Sequence, residues 1–384
     1  MRHHGPAAFL LATPRYILRA HPGPPLAIRP GPGQFTRAAL TAERALRHAG
    51  PGQCVVGALP FDESTPAVLA IGRLRSSART TVAVAPAART ARPPIADPGY
   101  LAAVGEAIRR LRAGDAEKVV LARSLTLTGH VDPTTTLHRL HRNNPTAHVF
   151  HVDLEPGRQQ QHRRILLGAS AELLLARHGN HLLLNPLAGS APRHHDPIRD
   201  RAQATALLNS TKDLREHRLL VDELRHRLTP ICGLLEIPEQ PLVEAGPRLW
   251  HLSTRIRAQL RPPAPNALTL AALLHPSPAV CGLPRTAART LINRLETHPR
   301  GYYGGLIGWM DRHGDGRWVI ALRCAEAGPH GIRLWAGAGI LAESDPRTEL
   351  ARTGANLATM LDALTPVANR PRNARGAPLN HGAS

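Results

Sequence analysis

KVVLARSLTLT, residues 118–128, is the stretch from which the fold is read. Val119, Leu121, Leu125 and Leu127 fall on one face at period two, while Lys118, Val120 and Ala122 fall on the other. That alternation belongs to a strand whose two faces meet different surroundings. Just before it, GYLAAVGEAIRRLRAG (99–114) sets Val104, Ile108 and Leu111 at helical spacing, with Gly114 where a helix stops. Outward from this helix–strand unit, VVGALPFD (55–62), AVLAIG (67–72), GNHLLLNPL (179–187), RWVIALRCAEA (317–327) and GIRLWAGAGI (331–340) also read as strands. Helical stretches fall near 200–228 and 346–364. Strands outnumber the helices that could serve as crossovers. The expected class is therefore α+β, with large mixed or antiparallel sheets and outer helices, rather than a doubly wound sheet.

The 384 residues are enough for a sizeable core, and 42% apolar content with interspersed charge argues against wholesale disorder. A formal charge of +20 would attract polyanions, but the arginines are spread from Arg2 to Arg375 and there are only four each of Phe, Tyr and Trp. No specific nucleic-acid partner is expected. AAFLLA (7–12) is too short for a secretory core or a membrane span, so a cytoplasmic protein with no membrane contact is expected. Cys54, Cys232, Cys281 and Cys324 form no CxxC pair and are expected to be core thiols.

Lysine is nearly absent. Of 48 Lys and Arg residues 46 are arginine, and lysine stands only at Lys118 and Lys212. A guanidinium does not deprotonate at neutral pH, whereas an amine can be tuned to act as a base. A proton-transfer role would make Lys118 irreplaceable by the cation this chain otherwise uses. The alternative is a solvated strand end.

The surrounding segments bear on that choice. LLGASAELLLARHGNHLLLNPLAGSAPR (166–193), STKDLREHRLLVDEL (210–224), LWHLST (249–254), HPSPAVCGLP (275–284), GYYGGLIGWMD (301–311), ALRCAEA (321–327) and LWAGAGILAESDP (334–346) stand in a characteristic order. In this the chain resembles the chorismate-binding enzymes, whose fold is that of anthranilate synthase component I, and isochorismate synthase in particular. The resemblance is strong over 99–366 and weaker over 1–98, taken as the amino-terminal part of the same fold; 367–384 is expected to be a disordered tail. VAPAARTARPPIADPG (84–99) reads as a connector.

The resemblance implies that chorismate is the substrate, with Lys118 activating water for attack at C2 and Glu172 protonating the departing C4 hydroxyl. Water is a poor nucleophile and hydroxide a poor leaving group, so both need proton transfer. It places Arg323 and Tyr303 on the enolpyruvyl carboxylate, with the Gly337 and Gly339 backbone close by, and Gly189, Ser190 and His251 elsewhere in the pocket. Relatives that use ammonia lack lysine at the position of Lys118. Where salicylate synthases have threonine, Ala279 and Val280 stand here, which implies isomerisation without pyruvate elimination. A siderophore or menaquinone route would use the product, and a monomer is expected.

The resemblance also implies Mg²⁺, held by Glu216 and by a second glutamate on the last helix, with Glu349 and Asp213 contacting it through water. In SDPRTELARTGAN that second glutamate is Arg352, and the family's following lysine is Asn356. The register is firm. Asp345 and Pro346 start the helix, Leu350, Leu357, Leu361 and Leu364 form one stripe, and Glu349, Arg352 and Asn356 form another. Three readings are open: Glu349 binds the ion directly, Arg352 pairs with Glu216 and replaces the metal, or turnover is impaired. The last would make the chain a chorismate-binding homologue that no longer isomerises. Lys212, one turn from Glu216, is expected to form an i,i+4 ion pair with it.

Overall fold

The structure, a computed structural model, describes residues 8–78, 96–156 and 163–364. The expected tail and all but the last residues of the Pro-rich connector lie outside the described residues.

The local unit at the fold's centre forms from its sequence signals. Asp97 accepts a hydrogen bond from the Tyr100 N–H at 2.9 Å, and Pro98 opens the helix Pro98–Arg112. Gly114, at φ 86°, lets the chain turn out of it into the strand Lys118–Leu127. Val119 and Leu121 enter the largest apolar cluster together with Val104 and Leu111 of the helix. Each such buried side chain contributes roughly 1.5–3 kcal/mol over exposure.

Every strand ladder among the described residues is antiparallel, within the expected class. A nine-stranded sheet starts at Gly282–Leu283 and runs through Lys118–Leu127, Gly331–Ile340, Cys324–Gly328, Ile165–Ser170 and His148–Asp153. It continues through Phe9–Ala12 and Tyr16–Ala20 to Arg75–Ala78. An eight-stranded sheet holds Gln53–Leu59 and Val68–Arg73 at one edge, beside Leu306–Asp311 and Gly316–Ile320. The amino-terminal strands thus enter both large sheets. Phe9, Phe150 and Leu166 of one sheet meet Val56, Ile307 and Val319 of the other in a shared cluster. On its far face the nine-stranded sheet is covered by Leu357, Met360 and Leu361 of the last helix, Pro346–Leu364. A third sheet of three strands contains Leu187–Pro192 and Leu249–Ser253.

Two expected strands divide. GNHLLLNPL breaks at Pro186, which has no N–H for a ladder, into His181–Asn185 and Leu187–Pro192 on different sheets. RWVIALRCAEA becomes Gly316–Ile320 in the eight-stranded sheet and Cys324–Gly328 in the nine-stranded one. The apolar run continues through Ala321 and Leu322, so period counting does not reveal the crossing. At the crossing Arg323 has φ 47°, the one positive value at a non-glycine residue among those described. The four cysteines are buried and unpaired, as expected.

Candidate active site

The strand Gly331–Ile340 floors a cleft of about 920 Å³, open mouth included. Period two puts Trp335, Gly337 and Gly339 on the cleft side. A Cβ on Gly339 would lie 1.9 Å from Glu216 Oε1 and 3.0 Å from Lys118 Cε, and one on Gly337 would lie 2.8 Å from the Tyr303 hydroxyl. The bare floor is therefore a steric requirement of what surrounds it.

Lys118 opens its strand fully buried, immediately behind the wall formed by Gly339 and Glu216. Its Nζ lies 3.0 Å from Glu216 Oε1. Glu216 comes from the helix Thr211–Leu228, whose start is fixed by Ser210 accepting from the Asp213 N–H at 3.2 Å. Burial works against the Glu216 charge, but Lys118, Lys212 and Arg352 outweigh it and hold the carboxyl below its usual range. Glu172, just past the strand Ile165–Ser170, lines the same cleft. Burial pushes its carboxyl up to about 8, against the opposing effects of the Leu187 N–H and the Lys118 charge. The cleft thus holds one carboxyl that keeps its proton near neutrality and one that does not.

At the other end stands a polar chain of three side chains. Arg323 donates to His251 Nε2 at 2.7 Å, and Ser190 Oγ lies 2.7 Å from His251 Nδ1. Burial, with the Arg323 charge, keeps His251 well below its usual pKa and so neutral. Nε2 must accept from a guanidinium, which leaves Nδ1–H to donate to Ser190. Burial and the charge of Arg248 bring Arg323 down to about 10. Tyr303, with its phenol raised by burial, stacks on Trp335 at 6.3 Å between ring centres. Ala279 and Val280 close the wall above them. Gly189, at φ 77°, brings its backbone into the cleft, where a Cβ would be 3.0 Å from that of Asp213.

The last helix adds Glu349, Arg352 and Asn356 to the cleft wall, the stripe expected from the sequence. One expected pairing is corrected, as is a pairing that one of the three open readings required. Lys212 does not pair along its own helix with Glu216 but crosses to Glu349 Oε1 at 2.6 Å, since Glu216 points down to Lys118. Arg352 likewise does not pair with Glu216. Its Nη2 donates to Asp213 Oδ1 at 3.1 Å and its Nη1 lies 3.5 Å from Glu349 Oε2. Asn356 donates to the Gly337 carbonyl at 3.4 Å. Among the described residues no group of three His, Cys, Asp or Glu side chains is arranged to hold a metal ion.

Sequence reasoning missed one supporting pair. Arg300 and Glu296 are buried together behind the wall, and Arg300 donates to the Val280 and Val120 carbonyls at 2.6 and 2.7 Å. Its guanidinium lies 4.2 Å from the Phe61 ring centre and 5.9 Å from that of Tyr303, while Glu296 accepts from the Ala122 N–H at 2.7 Å. The Glu-x-x-x-Arg spacing was the available signal, but it occurs just past a helix end, where it looks like an exposed pair.

Residues 67–365 match the family model described as chorismate binding enzyme. The chain is 39% identical over 380 residues to the isochorismate synthase DhbC of Bacillus subtilis, covering 95% of each. The crystal structure of DhbC from Bacillus anthracis superposes with a TM-score of 0.83 at 35% identity, covering 94% of this chain and 97% of that one. Anthranilate synthase component I from Streptococcus pneumoniae shares the fold, with a TM-score of 0.68 at 21% identity over 94% of each chain.

Proposed function

The chain belongs to the chorismate-binding enzymes, and from that premise we propose that it is an isochorismate synthase, an isomerase that converts chorismate to isochorismate. The observation that carries the reading is that Glu172, its carboxyl pushed up to about 8, lines the same cleft as Glu216, which is paired at 3.0 Å with the buried Lys118 behind it. In this reading Lys118 is the base that takes the proton as water adds at C2. The ring double bonds shift, the C4–O bond breaks, and Glu172 protonates the departing oxygen, which leaves as water. Substrate and product are isomers, so atoms and charge balance. General acid and base steps of this kind contribute about a hundred- to ten-thousand-fold each.

The dianion needs fixed donors at both ends. Arg323, oriented by neutral His251, suits the enolpyruvyl carboxylate, with Tyr303 beside it. The apolar Ala279 and Val280 offer no group to promote a second elimination. A cytoplasmic enzyme feeding a siderophore or menaquinone route is consistent with this activity, and no helix among the described residues is long and apolar enough to cross a membrane.

The Mg²⁺ implied by the family meets a donor set that does not fit it. Asp213, Glu216 and Glu349 supply suitable hard oxygens, but each already faces a cation, and Arg352 lies between Asp213 and Glu349. No step above runs through a metal. Chromatographic analysis of purified protein incubated with chorismate tests the assignment: isochorismate is the expected product, and unchanged substrate, with and without Mg²⁺, would refute it. Salicylate and pyruvate would refute the isomerase specificity instead.

A further inference from the structure

The acidic corner of the cleft is an alternating charge network. Lys118 faces Glu216 at 3.0 Å, Lys212 faces Glu349 at 2.6 Å, and Arg352 bridges Glu349 and Asp213 at 3.5 and 3.1 Å. Three carboxylates are thereby matched by three cations, and both lysines of the chain are among them. A dication entering this corner would add two charges to a balanced, largely buried set, and it would have to displace a guanidinium that cannot shed its proton. Swapping a carboxylate for that guanidinium supplies locally the positive charge that a metal would bring.

Arg352 is placed to use it. Its side chain is 21% exposed and lines the cleft, and its hydrogen bonding takes up only one of its five N–H groups. The two acids fix the guanidinium plane, while Asn356, one turn further along the same stripe, brings a neutral amide to the same wall. A planar guanidinium steadied by two acids, with N–H groups left over and the Asn356 amide on the same wall, has the donors to receive a carboxylate.

We infer that Arg352 takes the place of a divalent cation in this chain, its guanidinium receiving the ring carboxylate of the substrate so that binding proceeds without metal. The inference rests on the chorismate reading above, and the measurements separate the two.

Equilibrium binding of chorismate to the full chain, measured by calorimetry, is expected to have the same Kd in excess chelator as in Mg²⁺. Arg352→Ala should weaken binding roughly ten- to a hundred-fold, the loss of a charge-assisted contact, and Arg352→Lys should restore only part of it. Arg352→Glu should bind chorismate only when a divalent ion is added. Mn²⁺ titration followed by electron paramagnetic resonance, without substrate, should show uptake by Arg352→Glu and none by the native chain. Stoichiometric Mn²⁺ uptake by the native chain, or chorismate binding that requires Mg²⁺, overturns the inference and leaves the isomerase reading standing. Metal-free binding without isochorismate formation does the reverse. Should the Arg352 variants fail to fold, the native measurements alone decide.

Discussion

In the proposed isomerisation Glu172 is the acid, which would make turnover sensitive to pH. Its carboxyl, ordinarily near 4.5, is pushed up to about 8 by burial, so the acid form needed to release the C4 oxygen is lost as pH rises through that value. kcat/KM is expected to fall above about pH 8. Glu172→Gln should remove that limb and lower kcat about a hundred- to ten-thousand-fold in steady-state assays. The same shift sets a stability contribution that is full below about 4.5 and declines as pH climbs to about 8, because the unfolded carboxyl ionises first. Gly339→Ala is a steric test: its methyl would overlap Glu216 Oε1. Activity should fall by at least about a hundred-fold, with a circular dichroism spectrum like that of the native chain. At this scale the sequence was informative about position and silent about partnership. Lys118 was singled out by its rarity, but the i,i+4 rule for Lys212 failed because the partner on another helix is closer, and sequence spacing carries no information about that distance.

Among the elements, the strand Lys118–Leu127 depends on a brace outside its own sheet. Arg300 ties its Val120 carbonyl to that of Val280, and Glu296 holds the Ala122 N–H. Removing one partner of a buried pair strands the other charge, so Arg300→Met should cost about 3–5 kcal/mol in urea unfolding. Adding Glu296→Gln should recover part of that loss, as a double-mutant cycle would reveal. A raised KM in the single variant would report movement of the Val280 wall and Tyr303. The helices Pro98–Arg112 and Pro346–Leu364 were legible because caps, prolines and apolar stripes agreed. The two divided strands were less legible: Pro186 carried a signal, whereas Ala321–Arg323 continued the apolar run into a second sheet.

Over the whole molecule, stability should be lost on the acid side. His217, His251 and His275 are buried as neutral rings, held by burial at about 4, well below the usual value and at about 3, respectively. Their stabilising contribution is complete above about 6.5 and is lost as pH falls below it, since only the unfolded chain takes up the protons. With all three acting, the slope approaches about 4 kcal/mol per pH unit, opposite in sign to the contribution of Glu172. Urea unfolding at pH 7 and pH 5 checks this, and a flat profile would contradict it. The class of fold was readable from the count of strands against crossovers, whereas the assignment of strands to particular sheets was set by pairing between segments far apart in the chain. Arg323 marks one such place, since it rides on the segment where the backbone leaves one sheet for the other. If Arg323 holds the substrate as proposed, an anchor mounted on that seam would move with any slippage between the layers, so ligand affinity would become a gauge of how well the whole sandwich is registered, and interior variants remote from the ligand should first announce themselves as weakened grip.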